Sequence, residues 1–170
     1  PIPDAFAIAS RTVPVTVRSS SPAAPALSDM SSWTVLSPRR AVSAGGATLT
    51  IQKDGSLLAG GSAASPDTYT IHADTGLRGL TALRIETLPD DTLPGRGPGR
   101  AVNGNYSLTG LRVRIHPPGT PEQAVVVSLR NPQADFSQES YGGWPVEAAL
   151  DGNGKTGWSI DPEEGRPHEA

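Results

Sequence analysis

From Trp33 onward, the chain consists largely of short runs of apolar and β-branched residues separated by turn residues. The runs recur roughly every ten residues, and this spacing is typical of antiparallel sandwiches. The predicted strands lie at residues 33–36, 47–51, 57–59, 68–72, 80–88, 106–115, 124–129 and 158–160. Many short strands without a helical period predict an all-β protein, an antiparallel β-sandwich of the jelly-roll type.

Three of these segments carry more specific predictions. Asp54-Gly55 predicts a tight hairpin, because glycine readily adopts the positive φ that such a turn requires. Tyr106–Ile115 alternates like a strand with one polar face, and its arginines point outward. Ala124–Leu129 is a continuous apolar run, which suits burial on both faces of a sheet.

The first part of the chain differs in composition. Residues 1–31 are rich in proline, alanine, serine and valine, and predict a linker or the end of a preceding module. A short strand at Thr12–Val17 is compatible with this composition. Residues 32–170 are predicted to form the β-sandwich module. Because the chain starts at Pro1 without an initiator methionine, we expect it to be a piece of a longer protein.

Composition narrows the class of protein. The 170 residues include 19 glycines and 17 prolines, which argues against a helix bundle. A net charge of −3 gives little support for binding nucleic acid or an anionic membrane surface. No apolar run approaches the roughly 20 residues of a membrane span. Without cysteine, the chain forms no disulfide and carries no covalent c-type haem.

Catalytic signatures are weak, and the sequence predicts a protein that is not an enzyme. The histidines at His72, His116 and His168 are far apart and lack metal-ligand spacing. The paired carboxylates Asp90-Asp91 lie in a proline-flanked turn, where solvated charge is the ordinary state.

A glycine-bearing loop near the end of the chain allows two interpretations. Asp151, Asn153 and Thr156 offer carboxylate, amide and hydroxyl oxygens, which are the hard ligands that Ca²⁺ takes. The alternative is an Asx turn, in which Asp151 hydrogen-bonds its own backbone and Trp158 fills the core. The spacing alone leaves both open.

Residues 134–158 resemble the first part of discoidin-type (coagulation factor type C) galactose-binding-like domains. The similarity rests on Ala134-Asp135-Phe136-Ser137-Gln138, Ala149-Leu150-Asp151-Gly152-Asn153 and Thr156-x-Trp158. Related bacterial carbohydrate-binding modules share this signature. The resemblance implies a structural calcium in the Asp-Gly loop, with Asp151, Asn153 and Thr156 as its ligands.

A second resemblance covers most of residues 33–170. The motifs are Trp33-x-Val35-Leu36, Asp54-Gly55-Ser56, Asp67-Thr68-Tyr69, Thr81-Ala82-Leu83-Arg84-Ile85-Glu86, Leu93-Pro94, Gly97-Pro98-Gly99-Arg100-Ala101, Asn103-Gly104-Asn105-Tyr106 and Ala134-Asp135-Phe136-Ser137-Gln138. Together they resemble the jelly-roll module of large secreted planctomycete proteins that also carry a cytochrome c domain. The resemblance implies an extracellular or periplasmic location. Family members continue past His168 into more strands, which implies that this chain lacks its C-terminal strands.

Two functions follow from this combination. The first is a non-catalytic carbohydrate-binding or adhesion module, whose partner is a polysaccharide or glycan. Its candidate ligand-binding residues are Trp144, Tyr141, Arg100, Asn103 and Asn105. The alternatives for these residues are a packed loop anchor at Trp144 and loop-bracing hydrogen bonds at Arg100 and Asn105. The second function is a structural spacer or docking domain that contacts neighbouring domains of its parent chain, which predicts that Trp144 and Arg100 are buried.

Overall fold

Short strands joined by long loops make up the fold, as a chain rich in glycine and proline favours. The computed structural model describes residues 33–170 and the backbone of residues 11–19. Its strands are β1 (Arg11–Ser19), β2 (Thr34–Val35), β3 (Pro38–Ser43), β4 (Ala47–Ile51), β5 (Leu57–Gly61), β6 (Tyr69–Ala73), β7 (Leu80–Thr87), β8 (Val113–Ile115), β9 (Val125–Val127) and β10 (His168–Glu169). Short 3₁₀ helices occupy Pro94–Arg96, Pro121–Gln123, Ser140–Gly142 and Val146–Ala149. Of the residues that the structure describes, 32% are in strands and 9% in helices, which confirms the β-rich class.

The largest sheet is antiparallel, with strand order β10-β7-β1-β5-β4 and β2 paired to β1. β1 pairs with both β7 and β5, and its register places Val13 opposite Glu86 and Thr12 opposite Leu57. The strand considered at Thr12–Val17 is therefore present. The sheet takes in 9 residues of the segment that the sequence predicts to be a linker.

The hairpin between β4 and β5 confirms the turn predicted at Asp54-Gly55. Gly55 has φ +83°, and its amide donates to the Gln52 carbonyl at 3.0 Å. The Asp54 carboxylate accepts the amide of Ser56 at 2.9 Å and its hydroxyl at 2.6 Å. A glycine with positive φ and a side-chain hydrogen bond from the preceding aspartate thus close the turn together.

Two smaller antiparallel sheets, β3–β6 and β8–β9, lie outside the main one. The prediction that the run 124–129 is buried on both faces is wrong. The strand spans only β9, and Val125 and Val126 are 58% and 62% exposed. Among the described residues, β9 pairs only with β8, so these aliphatic side chains remain at the surface.

The strand predicted at 106–115 is also shorter than expected, because only β8 has strand structure. Leu108 instead forms an isolated bridge with Trp158, in which each amide donates to the other's carbonyl at 2.9 and 3.0 Å. The Leu111 amide donates to the Ala149 carbonyl at 3.1 Å. The first half of this run therefore bonds to irregular segments rather than to a neighbouring strand.

A hydrophobic core lies among these irregular segments of the C-terminal half. Its buried members are Leu108, Val146, Ala149, Trp158 and Ile160, and the partly buried residues packed against them are Tyr106, Ala134, Phe136 and Ala170. Trp158 is fully buried and donates its indole N–H to the Phe136 carbonyl at 2.8 Å. The Tyr106 ring meets it edge-on with centroids 5.4 Å apart. Trp158 is the core plug that the sequence suggested as one alternative.

The main sheet buries a charged residue on β7. The Arg84 side chain is fully buried and pairs with Glu86 at 2.5 Å and with Glu169 of β10 at 3.1 Å. Its guanidinium lies 5.0 Å from the centre of the Trp33 ring. These contacts offset the unfavourable free energy of burying the Arg84 charge, and the ion pair with Glu169 connects β10 to β7.

Within the part of the chain that the structure describes, no helix has the length and apolar character of a membrane span.

Candidate functional site

Three irregular segments are joined by hydrogen bonds and form what we call the loop rim: residues 94–105, 138–144 and 159–164. The second and third segments are linked where Gln138 donates its amide to the Ser159 carbonyl at 2.9 Å. None of the three contains a β-strand, so the shape of the rim depends on individual hydrogen bonds and close contacts.

Asn105 connects all three segments of the rim. Its side-chain amide donates to the Gln138 side-chain oxygen at 2.9 Å, and its own oxygen accepts the Ile160 amide at 3.1 Å and the Tyr106 amide at 2.8 Å. Both ends of the side chain are therefore engaged within the protein. These contacts favour the loop-bracing interpretation of Asn105 over direct contact with a ligand.

Arg100 also braces a loop. The guanidinium donates to the carbonyls of Ser62 at 2.5 Å and Gly61 at 2.6 Å, which anchors the rim to the end of β5. Burial raises the pKa of Tyr69, and a hydrogen bond with Arg100 offsets this only in part. Because Arg100 is half-buried and turned toward these partners, bracing is the better-supported role.

The glycines of the first segment allow two stretches of backbone to cross at very short range. Gly99 donates its amide to the Gly104 carbonyl at 2.7 Å. A Cβ placed on Gly99 would lie 1.8 Å from the carbonyl oxygen of Asn105, and one on Gly97 would lie 2.5 Å from that of Gly104. Only glycine fits at either position, so this crossing fixes where the neighbouring side chains emerge.

A polar bridge of four side chains runs across the rim. Asn103 donates its side-chain amide to Glu164 at 2.8 Å, and the Ser140 hydroxyl donates a long hydrogen bond of 3.4 Å to Asp161. Burial raises the pKa of Glu164, and a hydrogen bond with the Asp161 carboxyl raises it further. Glu164 therefore keeps its proton to a higher pH than an isolated glutamate would.

Tyr141 and Trp144 are close in sequence but differ in exposure. Tyr141 is 88% exposed and has φ +55°, immediately before Gly142 and Gly143, which also have positive φ. Trp144 is half-buried, and its amide donates to the Gln138 carbonyl at 2.8 Å. Trp144 thus anchors the segment through its backbone, whereas Tyr141 presents its ring to solvent.

Sequence reasoning missed four residues of the rim. Val102 is 94% exposed beside Asn103, and Ser140, Asp161 and Glu164 complete the polar bridge. The unusual position of Val102, a lone apolar residue in a glycine-rich turn, was the one signal available. Asp161 and Glu164 belong to an acidic stretch with no recognisable spacing.

The Asp151 loop brings its three predicted residues together. Asp151 accepts the Asn153 amide at 2.7 Å and the Thr156 hydroxyl at 2.6 Å, and Asn153 accepts the Lys155 amide at 3.1 Å. The Thr156 hydroxyl and the Asn153 amide lower the pKa of Asp151. These contacts are those of an Asx turn, and calcium binding stays a prediction.

Chelation distinguishes the two interpretations of this loop. We expect the Asx turn to be sufficient, so that a calcium chelator leaves the melting temperature of the wild type unchanged. Asp151→Ala should lower the melting temperature, and Asp151→Asn, which retains a side-chain acceptor, should lower it less. Thermal unfolding followed by circular dichroism measures both effects. A chelator-induced decrease in the wild type that is absent from Asp151→Ala would assign calcium to the loop instead.

The histidines remain apart in the folded chain. His72 is exposed on β6, His116 is exposed in the loop that follows β8, and His168 is buried in β10. In the ranges that the structure describes, no group of three or more His, Cys, Asp or Glu side chains could hold a metal ion. The Asp90-Asp91 turn borders an open depression, and Asp90 accepts the Thr92 amide at 2.9 Å within an Asx turn of its own.

Comparison of the chain with family models, curated proteins and solved structures found no match.

Proposed function

We propose that this chain is a non-catalytic carbohydrate-binding or adhesion module. The observation that carries the proposal is the exposed ring of Tyr141, held on the loop rim beside the polar bridge. Glycan recognition generally combines an aromatic face, which packs on the apolar face of a sugar, with planar polar groups that hydrogen-bond its hydroxyls. Tyr141 supplies the first, and Asn103 with the carboxyl groups of Asp161 and Glu164 supplies the second.

The other predicted binding residues hold the segments that carry this surface in position. Asn105 and Arg100 hold the segments in place, and Trp144 anchors the loop that carries Tyr141. A surface that is already ordered loses little conformational entropy when it binds, which favours affinity. The proposed contact set is therefore Tyr141 and Asn103 with the polar bridge, and the remaining candidates are positioning residues.

The wider context is proposed on the motif resemblance. The β-rich structure is compatible with a jelly-roll sandwich, although the individual sheets are small. The resemblance supports a parent protein of the planctomycete type that is exported to the periplasm or the cell exterior and carries a c-type cytochrome domain. In such a parent, the module would attach the redox domain to a polysaccharide.

One observation favours the alternative role, docking to a neighbouring domain. The β8–β9 sheet exposes Ile115, Val125 and Val126, and Ile115 lies directly opposite Val125 in its register. Ile115 and Val125 share one face of this sheet, and exposed aliphatic side chains on one face are a common feature of protein–protein contacts. The docking surface would then be this hairpin, and the loop rim would have no ligand.

A glycan array with matched variants tests the proposal. Tyr141→Asn removes the ring while keeping a residue that tolerates positive φ, so the loop should remain folded. We expect the wild type to bind at least one class of glycan, and Tyr141→Asn to weaken that binding about fivefold or more, the loss typical of an aromatic anchor. Val125→Thr on β9 is the matched control and should bind as the wild type does.

Two results would contradict carbohydrate binding. The first is an array on which the wild type binds nothing. The second is glycan binding that Tyr141→Asn leaves unchanged. An empty array together with binding to a neighbouring domain that Val125→Thr weakens would support the docking alternative.

A further inference from the structure

The last residues of the chain pair along the edge of the main sheet. β10 pairs with β7, where His168 lies opposite Thr87 and Glu169 opposite Glu86. Ala170 then exchanges two backbone hydrogen bonds with Ile85, at 2.8 and 2.9 Å. A strand of two residues gains little stability from its backbone hydrogen bonds alone. Its attachment to β7 therefore depends on side chains.

His168 is the most deeply buried side chain of β10, at 1% exposure. Its Nδ1 lies 3.0 Å from a carboxylate oxygen of Asp135, and its Nε2 lies 2.8 Å from the Glu163 carbonyl oxygen. When Asp135 is ionised, its carboxylate and the Glu163 carbonyl can both accept hydrogen bonds, and neither can donate one. A neutral imidazole has a single N–H and would leave one ring nitrogen facing an acceptor, whereas the imidazolium donates to both. The geometry therefore fits the doubly protonated ring.

Asp135 is held as a carboxylate by several donors. Besides His168, it accepts the Glu169 amide at 3.0 Å and a guanidinium N–H of Arg166 at 3.0 Å. Burial acts to raise the pKa of Asp135, but the contacts with His168, Glu169 and Arg166 outweigh it and lower the pKa. A charged Asp135 in turn offsets the cost of burying a charged imidazole.

Both cationic and anionic side chains surround the His168–Asp135 pair. On β7 and β10, Arg84 pairs with Glu86 and Glu169, and in the loop before β10, Arg166 pairs with Glu163 and Asp135. Glu164 also acts electrostatically on His168 from that loop. The Phe136 ring covers one side of the imidazole, with centroids 5.7 Å apart. Arg84 and Arg166 are therefore each paired with two carboxylates.

We propose that His168 and Asp135 form a pH-dependent latch that docks β10 onto β7. The latch is closed when the imidazolium and the carboxylate are present together. If Asp135 loses its charge, the buried imidazolium is left without a counter-charge. If His168 loses its charge, one ring nitrogen faces an acceptor without a proton to donate. The latch weakens in both cases.

The two groups act in opposite directions. The contribution of Asp135 is present above about pH 4, the ordinary value of an unfolded aspartate, and is lost as pH falls through its lowered value in the folded chain. In the undocked strand, histidine gives up its second proton above about pH 6.5. Docking is therefore strongest between about pH 4 and pH 6.5, and one proton is released on opening at higher pH.

Amide hydrogen exchange at the strand edge measures the latch directly. After correction for intrinsic exchange rates, protection of the Ile85 and Ala170 amides should fall as pH rises from about 6 to about 8. Amides of the β4–β5 hairpin should show no such change. Ring ¹⁵N shifts should identify His168 as the imidazolium at about pH 6. A neutral ring at that pH, or protection of Ile85 and Ala170 that does not vary with pH, would overturn the proposal.

Variants separate the latch from general effects of histidine. His168→Gln and Asp135→Asn should each lower protection near pH 6 and abolish its pH dependence. His72→Gln and His116→Gln, which change exposed histidines, should retain it. If His168→Gln does not fold, the ring shifts and exchange of the wild type still decide the question. Wild-type pH dependence that survives in a folded His168→Gln would also overturn the proposal.

Discussion

Gly99→Ala is expected to destabilise the chain by about 3 kcal/mol or more, which is a large fraction of the stability of an ordinary domain. The added Cβ would lie 1.8 Å from the Asn105 carbonyl oxygen, a contact with backbone that no change of rotamer can relieve. Relief requires the two crossing stretches of the loop rim to separate, which breaks the hydrogen bond from Gly99 to Gly104. Urea unfolding followed by tryptophan fluorescence measures the loss.

Gly110→Ala is the matched control, because a Cβ at Gly110 meets nothing within 4 Å. It should change the free energy of unfolding by less than about 1 kcal/mol. Equal stability of the Gly99→Ala and Gly110→Ala proteins would mean that the backbone crossing does not exist as described.

Trp158→Ala is expected to cost about 3–5 kcal/mol, the range for removing a large aromatic side chain from a core. The ring is fully buried, contacts Tyr106 edge-on, and donates a hydrogen bond to the Phe136 carbonyl. Removing it leaves both a cavity and an unsatisfied carbonyl. Calorimetric or urea unfolding should register the loss.

Trp158→Phe provides a graded comparison. It keeps most of the aromatic packing and removes the indole N–H, so it should cost less than Trp158→Ala but remain measurable, at about 1–3 kcal/mol. If Trp158→Ala lowers the free energy of unfolding by less than about 1 kcal/mol, the core does not depend on this residue. The packing around Trp158 would then differ from the one described here.

Local chemistry made part of the fold predictable. At Asp54-Gly55, the need for positive φ identifies the hairpin, and alternation along residues 80–87 identifies β7. The same logic failed for 124–129, because an apolar run does not reveal whether another layer covers it. At Leu108, the partner is a residue of an irregular segment 50 positions away, which no local pattern encodes.

The candidate site was predictable only in outline. The sequence named Tyr141 as a candidate ligand-binding residue, and the structure leaves its ring in solvent. The roles of Arg100 and Asn105 depend on partners at Gly61 and Gln138, which are distant in sequence. The polar bridge and the proposed latch at His168 arise from tertiary contacts of an acidic stretch that carries no motif.

We propose that the loop rim binds a glycan through Tyr141 and Asn103. The most direct test is an NMR titration of the ¹⁵N-labelled chain with the glycan class that binds on the array. The account predicts that amide shifts change in residues 101–105 and 139–144 and that β8 and β9 stay unchanged. Saturable changes confined to β8 and β9, with none in the loop rim, would contradict it.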